Sequence, residues 1–378
     1  MSDNKKINNQ IKIRERLVLV SMLFLIYLVL LSCGKQKSEW HGTIERENNI
    51  IIVRNPKEPM YGEEAFFLVN ELSIGESEGR EEYLFSQVAD IAVADDASIY
   101  VLDSTEAHIN VFNKEGKYIR TISGQGQGPG EIGDPRSLFI TNQDEILVQD
   151  MGNRRLSFFS REGDFIRSIS TARMNLRSTD IDSGGNIISV TAIMMEEDLW
   201  HELKKFDSNM NYLFSFASAP APSPNHFNPF MPVLRWSLTQ NDRVVCAYPE
   251  RYEIDIFDSN GTVIRKIMKS YKPVKISIKE RERLEKIQET INVVQLKYKS
   301  AFQRIIVGDA GHIFVQTWEE VTDKDGYYYD VFDPQGKYIV KIPFKKNPQI
   351  IKKNKLYTIE EDKEGYQSIR RYQIIWKY

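Results

Sequence analysis

Cysteine is nearly absent: Cys33 and Cys246 are the only two in 378 residues. Two thiols can build neither a cysteine metal cluster nor a disulfide framework. Cys246 lies in the apolar run Val244-Val-Cys-Ala-Tyr248, which suits a buried structural thiol. Histidine is scarce too. His41, His108, His201, His226 and His312 show none of the short spacings of a metal-ligating motif. No charge dominates: 50 Lys and Arg against 53 Asp and Glu leave a net charge of −3, with the basic residues spread along the chain. A nucleic-acid surface would gather them into a stripe. The glycine-rich run Gly124–Gly130 lacks the Gly-Lys-Ser/Thr ending of a phosphate loop. Gly75-Glu-Ser-Glu-Gly79 has the letters of a nucleophile elbow without its strand-then-helix context. Its glutamates would also oppose an oxyanion beside Ser77.

Long apolar runs are limited to Leu17–Leu31, interrupted by Ser21 and Tyr27. About fifteen residues is short for a membrane span and fits the apolar core of a signal peptide. Lys5, Lys6, Lys12, Arg14 and Arg16 precede it, and Leu30-Leu-Ser-Cys33-Gly34 ends it. This ending resembles a bacterial lipobox. The resemblance implies a signal peptide over 1–32, cleavage before Cys33, lipid on the Cys33 sulfur and a polar tether over 33–48. The remainder, 49–378, is then extracytoplasmic, held in the cell envelope by its lipid. Eleven tether residues (34–44) span at most roughly 35 Å.

What the chain has in quantity is one repeated phrase. Ile99-Tyr-Val-Leu-Asp103, Ile109-Asn-Val-Phe112, Asn113-Lys-Glu-Gly-Lys117 and Tyr118-Ile-Arg-Thr-Ile122 form its first copy. Ile146–Asp150, Leu156–Phe159, Ser160–Asp164 and Phe165–Ile169 repeat it. Later copies centre on Ile254–Phe257 with Asp258–Gly261, and on Tyr329–Phe332 with Asp333–Gly336. A period of roughly 40–50 residues, made of strands alone, is that of a propeller blade. The expected fold is all-β, a six-bladed β-propeller with blades at about 87–123, 136–171, 179–218, 236–269, 303–344 and 348–378. The last is one strand short. One of two upstream runs, Ile50–Val53 or Ala65–Val69, is expected to supply it and close the ring. Two insertions interrupt the rhythm: a proline-rich loop at 217–233, and a stretch at about 277–299 between blades four and five. There Leu284, Ile287, Ile291 and Val294 fall at helical spacing.

Residues 88–170 resemble NHL-type repeats, in Tyr100–Asp103 with Ile109–Phe112 and in Val148–Phe158, where Asn153 and Arg154 or Arg155 occupy the Asn-x-Arg positions. With Gly124-Gln-Gly-Gln-Gly-Pro-Gly-Glu131 and the lipobox, the chain resembles the six-bladed β-propeller lipoproteins of bacteria. It departs in having His108 where blade one should carry the arginine, and in losing the Asn-Arg element from later blades. The NHL-type resemblance also brings in calcium- or zinc-dependent lyases and lactonases.

In a propeller, the loops 103–108 and 150–155 and the blade-to-blade crossings share one end. Asp103, His108, Glu131, Asp150, Asn153, Arg154 and Arg155 are therefore the candidate binding face. The corresponding expectation is a membrane-anchored scaffold or receptor that holds a protein, peptide or glycan, without a cofactor and without nucleic acid. The alternative is a lactonase- or lyase-like enzyme with Ca or Zn in the central channel. A third reading is a subunit of an envelope complex, contacting its neighbours through the proline loop and the helical stretch.

Overall fold

The computed structural model describes residues 39–378, apart from 197, 224–226, 289–291 and 322–325. The signal peptide, Cys33 and His226 lie outside the described residues. Among the described residues twenty-six strands form six sheets, and each sheet has a core of four antiparallel strands. Blade one is Val88–Val93, Ile99–Asp103, His108–Phe112 and Tyr118–Ile122. Blade two runs from Pro135–Ile140 to Phe165–Ser170, and blade three from Leu176–Ile181 to Tyr212–Pro220. Blade four runs from Arg235–Leu238 to Val263–Lys269, and blade five from Arg304–Val307 to Tyr338–Phe344. The first strands of successive blades lie against one another, Val88–Val93 beside both Pro135–Ile140 and Pro348–Lys352. They are the inner strands of the ring.

The burial pattern follows from this arrangement. The second strand of blade one is buried along its whole length, whereas its outermost strand Tyr118–Ile122 alternates. A middle strand is covered on both faces by neighbouring blades, so it is mostly apolar. The core consists of six clusters, one at each blade-to-blade interface. Tyr100, Leu102 and Ile109 of blade one meet Leu138, Val148 and Phe159 of blade two. Ile74, Tyr357 and Ile369 of blade six meet Ile91, Val101 and Phe112 of blade one. Cys246 is 2% exposed between blades three and four, where burial raises its thiol pKa.

The repeated Asn/Asp-x-x-Gly phrase is the hairpin between third and fourth strands. Asn113 Oδ1 accepts the amides of Glu115 and Lys117, and Asp333 Oδ1 those of Gln335 and Lys337. Gly336 has φ +88°, and a Cβ there would stand 2.8 Å from Ile267 Cγ1 of blade four. Glycine thus serves the turn and the packing of one blade on the preceding one.

Both upstream runs are strands, with different roles. Phe66–Ile74 pairs antiparallel with Gln367–Trp376 and completes blade six around Pro348–Lys352 and Lys355–Glu361. Ile50–Asn55 adds instead to blade four, parallel to Val263–Lys269. Between them the amides of Met60 and Tyr61 donate to the Tyr338 and Ile339 carbonyls of blade five. The N-terminal segment therefore belts the outer edges of blades four, five and six. Asn55 fastens it: its Nδ2 donates to the Met268 and Gly336 carbonyls, and its Oδ1 accepts from the Tyr338 amide at 2.7 Å.

Two boundaries differ from expectation. The stretch expected as a tether to residue 48 contains strand Thr43–Glu47, a hairpin partner of Ile50–Asn55. Trp40 Nε1 donates to Asn55 Oδ1 and holds its start. The helix expected over 277–299 is Ile278–Gln288, shorter because the chain beyond it pairs with the proline-rich loop. The Val294 amide donates to the Phe227 carbonyl, and Asn228 Nδ2 donates to the Val294 carbonyl. Leu284 and Val293 are buried; the side chains of Ile287 and Ile291 lie outside the description.

Phe66 is central to closure, with its ring edge-on to Phe314, Phe344 and Trp376. Phe66→Ala should destabilise the ring by about 3 kcal/mol, the range for a large aromatic lost from a core. Denaturant unfolding followed by fluorescence measures it.

Candidate functional site

Strand polarity brings the loops between second and third strands, the crossings and the starts of all inner strands to one end of the ring. The seven expected face residues lie at that end. Asp103 is buried and accepts the amides of Ser86, Gln87, Thr105 and Glu106. Asp150 repeats this role, accepting the amides of Gly133, Asp134 and Asn153. Asn153 Nδ2 bridges Asp150 Oδ2 and the Gly126 carbonyl. The Arg155 guanidinium donates to the carbonyls of Gln127, Gly128 and Glu131. Glu131 in turn accepts the Gly128 amide at 2.7 Å. Five of the seven groups thus tie down their own loops and the glycine-rich crossing. His108 Nε2 is enclosed without a partner. Arg154 is exposed and lines a recess of about 420 Å³ with Met151, Thr171, Arg173 and Met174.

A different group of residues meets where the inner strands begin. Asp90 pairs with Leu102, Ser137 with Gln149, Arg235 with Ala247 and Arg304 with Gln316. Each partner is the fourth residue of its blade's second strand, so these four residues share one rung of the channel wall. Blades three and six reach that rung through irregular register at Arg177–Ser178 and Gln349.

On the side of blades three to six the wall opens into a cavity of about 450 Å³. Arg177, Arg235, Arg304, His201, Trp236 and Gln349 supply most of its polar groups; Val233 and Leu234, which end the proline-rich loop, add an apolar edge. Arg304 donates to Gln349 Oε1 at 3.2 Å. His201 Nε2, Arg235 Nε and Trp236 Nε1 are enclosed without hydrogen-bond partners. Burial, aided by the Arg304 charge, lowers the Arg235 pKa; burial and Arg177 lower that of His201, favouring neutral imidazole.

Two acids face the channel, Asp90 from blade one and Asp180 from blade three. Asp90 Oδ2 accepts the Leu138 amide of blade two at 2.9 Å. Asp180 accepts the Ile181 amide. Both are half-buried. Burial pushes Asp90 up to about 6, against two amide hydrogen bonds. Burial and the Asp90 charge push Asp180 up to about 7. Among the described residues no three His, Cys, Asp or Glu side chains converge as a metal-binding group.

Residues 77–356 match the model of the DUF5128 family, described as a 6-bladed beta-propeller. The chain belongs to this family. No protein of curated function matches it in sequence. Among solved structures it is similar to a protein of Bacteroides fragilis named as a candidate exported protein. The two share 13% identity over 86% of this chain and all of the other, with a TM-score of 0.59. A DUF4221 family member from Bacteroides vulgatus matches at 12% identity and TM-score 0.52, over 83% of this chain and all of its own. Virginiamycin B lyase of Staphylococcus aureus matches at 10% identity and TM-score 0.45, over 82% of this chain and 99% of its own. These likenesses concern the fold; the last is too weak to carry any argument.

Asp90, Arg177, Arg235 and Arg304 were missed because they sit in the first strands of their blades, outside the repeated phrase. Aligning each inner strand to its neighbour at the residue opposite the fourth position of strand two would have gathered Asp90, Arg235 and Arg304.

Raised acids bind protons more tightly in the folded chain than in the unfolded one. Their stabilising effect is full below about pH 4 and lost as pH rises through about 6 and 7. Asp180→Asn should flatten this decline. Thermal melts from pH 4 to 8 should show the variant gaining roughly 2–4 °C over the native chain at pH 8, and far less at pH 5.

Proposed function

We propose that this propeller is a lipid-anchored, extracytoplasmic binding protein whose ligand seats at the channel mouth. The carrying observation is the 450 Å³ cavity, whose enclosed polar atoms His201 Nε2, Arg235 Nε and Trp236 Nε1 lack protein partners. Leaving a buried polar atom without a hydrogen bond costs about 1–3 kcal/mol, so a site that keeps three is built for a partner from outside. The volume falls in the range of small-molecule pockets, roughly 300–1,000 Å³. The lining supplies donors and positive charge but no carboxylate, which suits recognition better than paired acid–base chemistry.

The envelope location rests on the lipobox-like ending at Cys33 and on the similar fold of a protein named for export. A protein, peptide or glycan presents its terminal or pendant group to this mouth, with Arg154 on the adjoining rim. A lyase- or lactonase-like reading draws on one observation, the channel acids Asp90 and Asp180 with raised pKa values. The two readings separate on metal: the binding reading expects no thermal stabilisation by Ca²⁺ or Zn²⁺, whereas a metal-dependent enzyme gains several degrees.

Native mass spectrometry of the full-length protein released from its own membrane tests the cavity. A small-molecule adduct on the native chain should vanish in Ser178→Trp, which fills the mouth. Identical spectra for the two chains would end the proposal. Cys33→Ser should abolish metabolic labelling by radioactive palmitate and release the protein from membranes.

A further inference from the structure

The channel cavity gathers three arginines from three blades: Arg177, Arg235 and Arg304. Among the described residues none of them has a carboxylate at ion-pair distance, although the chain forms such pairs widely elsewhere, for example Arg161 with Asp144 and Arg167 with Glu145. Arg304 holds Gln349, a neutral partner. Asp90 feels the Arg304 charge from across the channel without pairing with it. Burial and mutual repulsion act against this clustering of positive charge. A folded chain keeps such a cluster where a counter-charge is supplied from outside. His201 is the second, independent sign. It is 7% exposed, lines the same cavity and leaves Nε2 without a partner.

Resting on the cavity reading above, we infer that the channel mouth binds a small multivalent oxyanion, an organic molecule carrying two or three carboxylate or phosphate charges. Arg177, Arg235 and Arg304 take its oxygens, since planar guanidinium forks match carboxylate and phosphate. Trp236 Nε1 provides a neutral donor beside them, and His201 Nε2 an unpartnered imidazole nitrogen. Charge matching decides the valence: three guanidinium groups and no acid in the lining call for more than one negative charge. The cavity admits a molecule of the size of citrate or glucose 6-phosphate, larger than a bare inorganic ion.

The test uses the full-length protein in detergent. Citrate, glucose 6-phosphate, inorganic phosphate and glucose are each added at 1 mM, with sodium chloride at matched ionic strength as reference. Citrate or glucose 6-phosphate should raise the melting temperature by roughly 3–6 °C above the salt reference, the size expected when ligand is about 100-fold above Kd. The shift should be lost in Arg235→Met combined with Arg304→Met and kept in Lys117→Gln, which removes a charge from the exposed hairpin between third and fourth strands of blade one, at the opposite end of the ring. The carboxylate and phosphate arms then tell which oxyanion is preferred. Absence of a shift with either organic anion overturns the inference, as does a shift unchanged in the double variant.

A second readout needs no variant. Citrate should protect Arg177, Arg235 and Arg304 from phenylglyoxal, mapped by peptide mass spectrometry, while Arg154 stays reactive; unprotected channel arginines overturn the inference. Failure of this inference remains separable from failure of the cavity reading. A shift with glucose alone, abolished by Ser178→Trp, would discard the anion and keep the cavity.

Discussion

Every blade depends on its neighbours. A four-stranded sheet with two apolar faces cannot be stable in water alone, and here each face is buried only against the next blade. The six interfacial clusters are thus links of a closed chain, and the ring holds only when the last link is made. That link is the strand Phe66–Ile74, brought from the N-terminal side to the outer edge of blade six. Closure joins residues about 300 positions apart, as in the pairing of Arg371 with Leu72.

The same constraint explains the belt. The outer strand of a blade presents unpaired backbone groups, an invitation to association. Blades four, five and six have these groups partly covered by one continuous segment, through Ile50–Asn55, Met60–Tyr61 and Phe66–Ile74. Asn55 is buried at the junction because its amide satisfies groups from two blades at once, which no apolar residue could do.

Ring closure also creates the channel. Six inner strands start at one end, so side chains distant in sequence converge there, and the arginines among them belong to no interfacial cluster. Structural demand on them is low, and polar groups can be kept for a ligand. The neighbouring loops show the opposite case. Asp103, Asp150, Asn153 and Arg155 are polar and lie near the same mouth, but their hydrogen bonds are consumed by the turns and crossings they hold. The proposed recognition of an anionic group therefore belongs to the inner strands, and Arg154 is the face residue left to extend it.

The sequence by itself determined the number and order of the blades, because middle strands buried on both faces are mostly apolar and an Asn/Asp-x-x-Gly hairpin recurs in blades one, four and five. It also determined that Cys246 is a core thiol and that an upstream run completes blade six. The tertiary structure alone decided which run does so, since Ile50–Val53 and Ala65–Val69 are equally apolar and differ only in which edge lies within reach. It alone bounded the helix, since Val294, which falls at helical spacing, pairs its backbone with the proline-rich loop instead. And it alone assembled the candidate site. Asp90, Arg177, Arg235 and Arg304 stand in the least repetitive strand of each blade, and nothing local marks them. They become neighbours because a ring brings the starts of its inner strands to a common mouth.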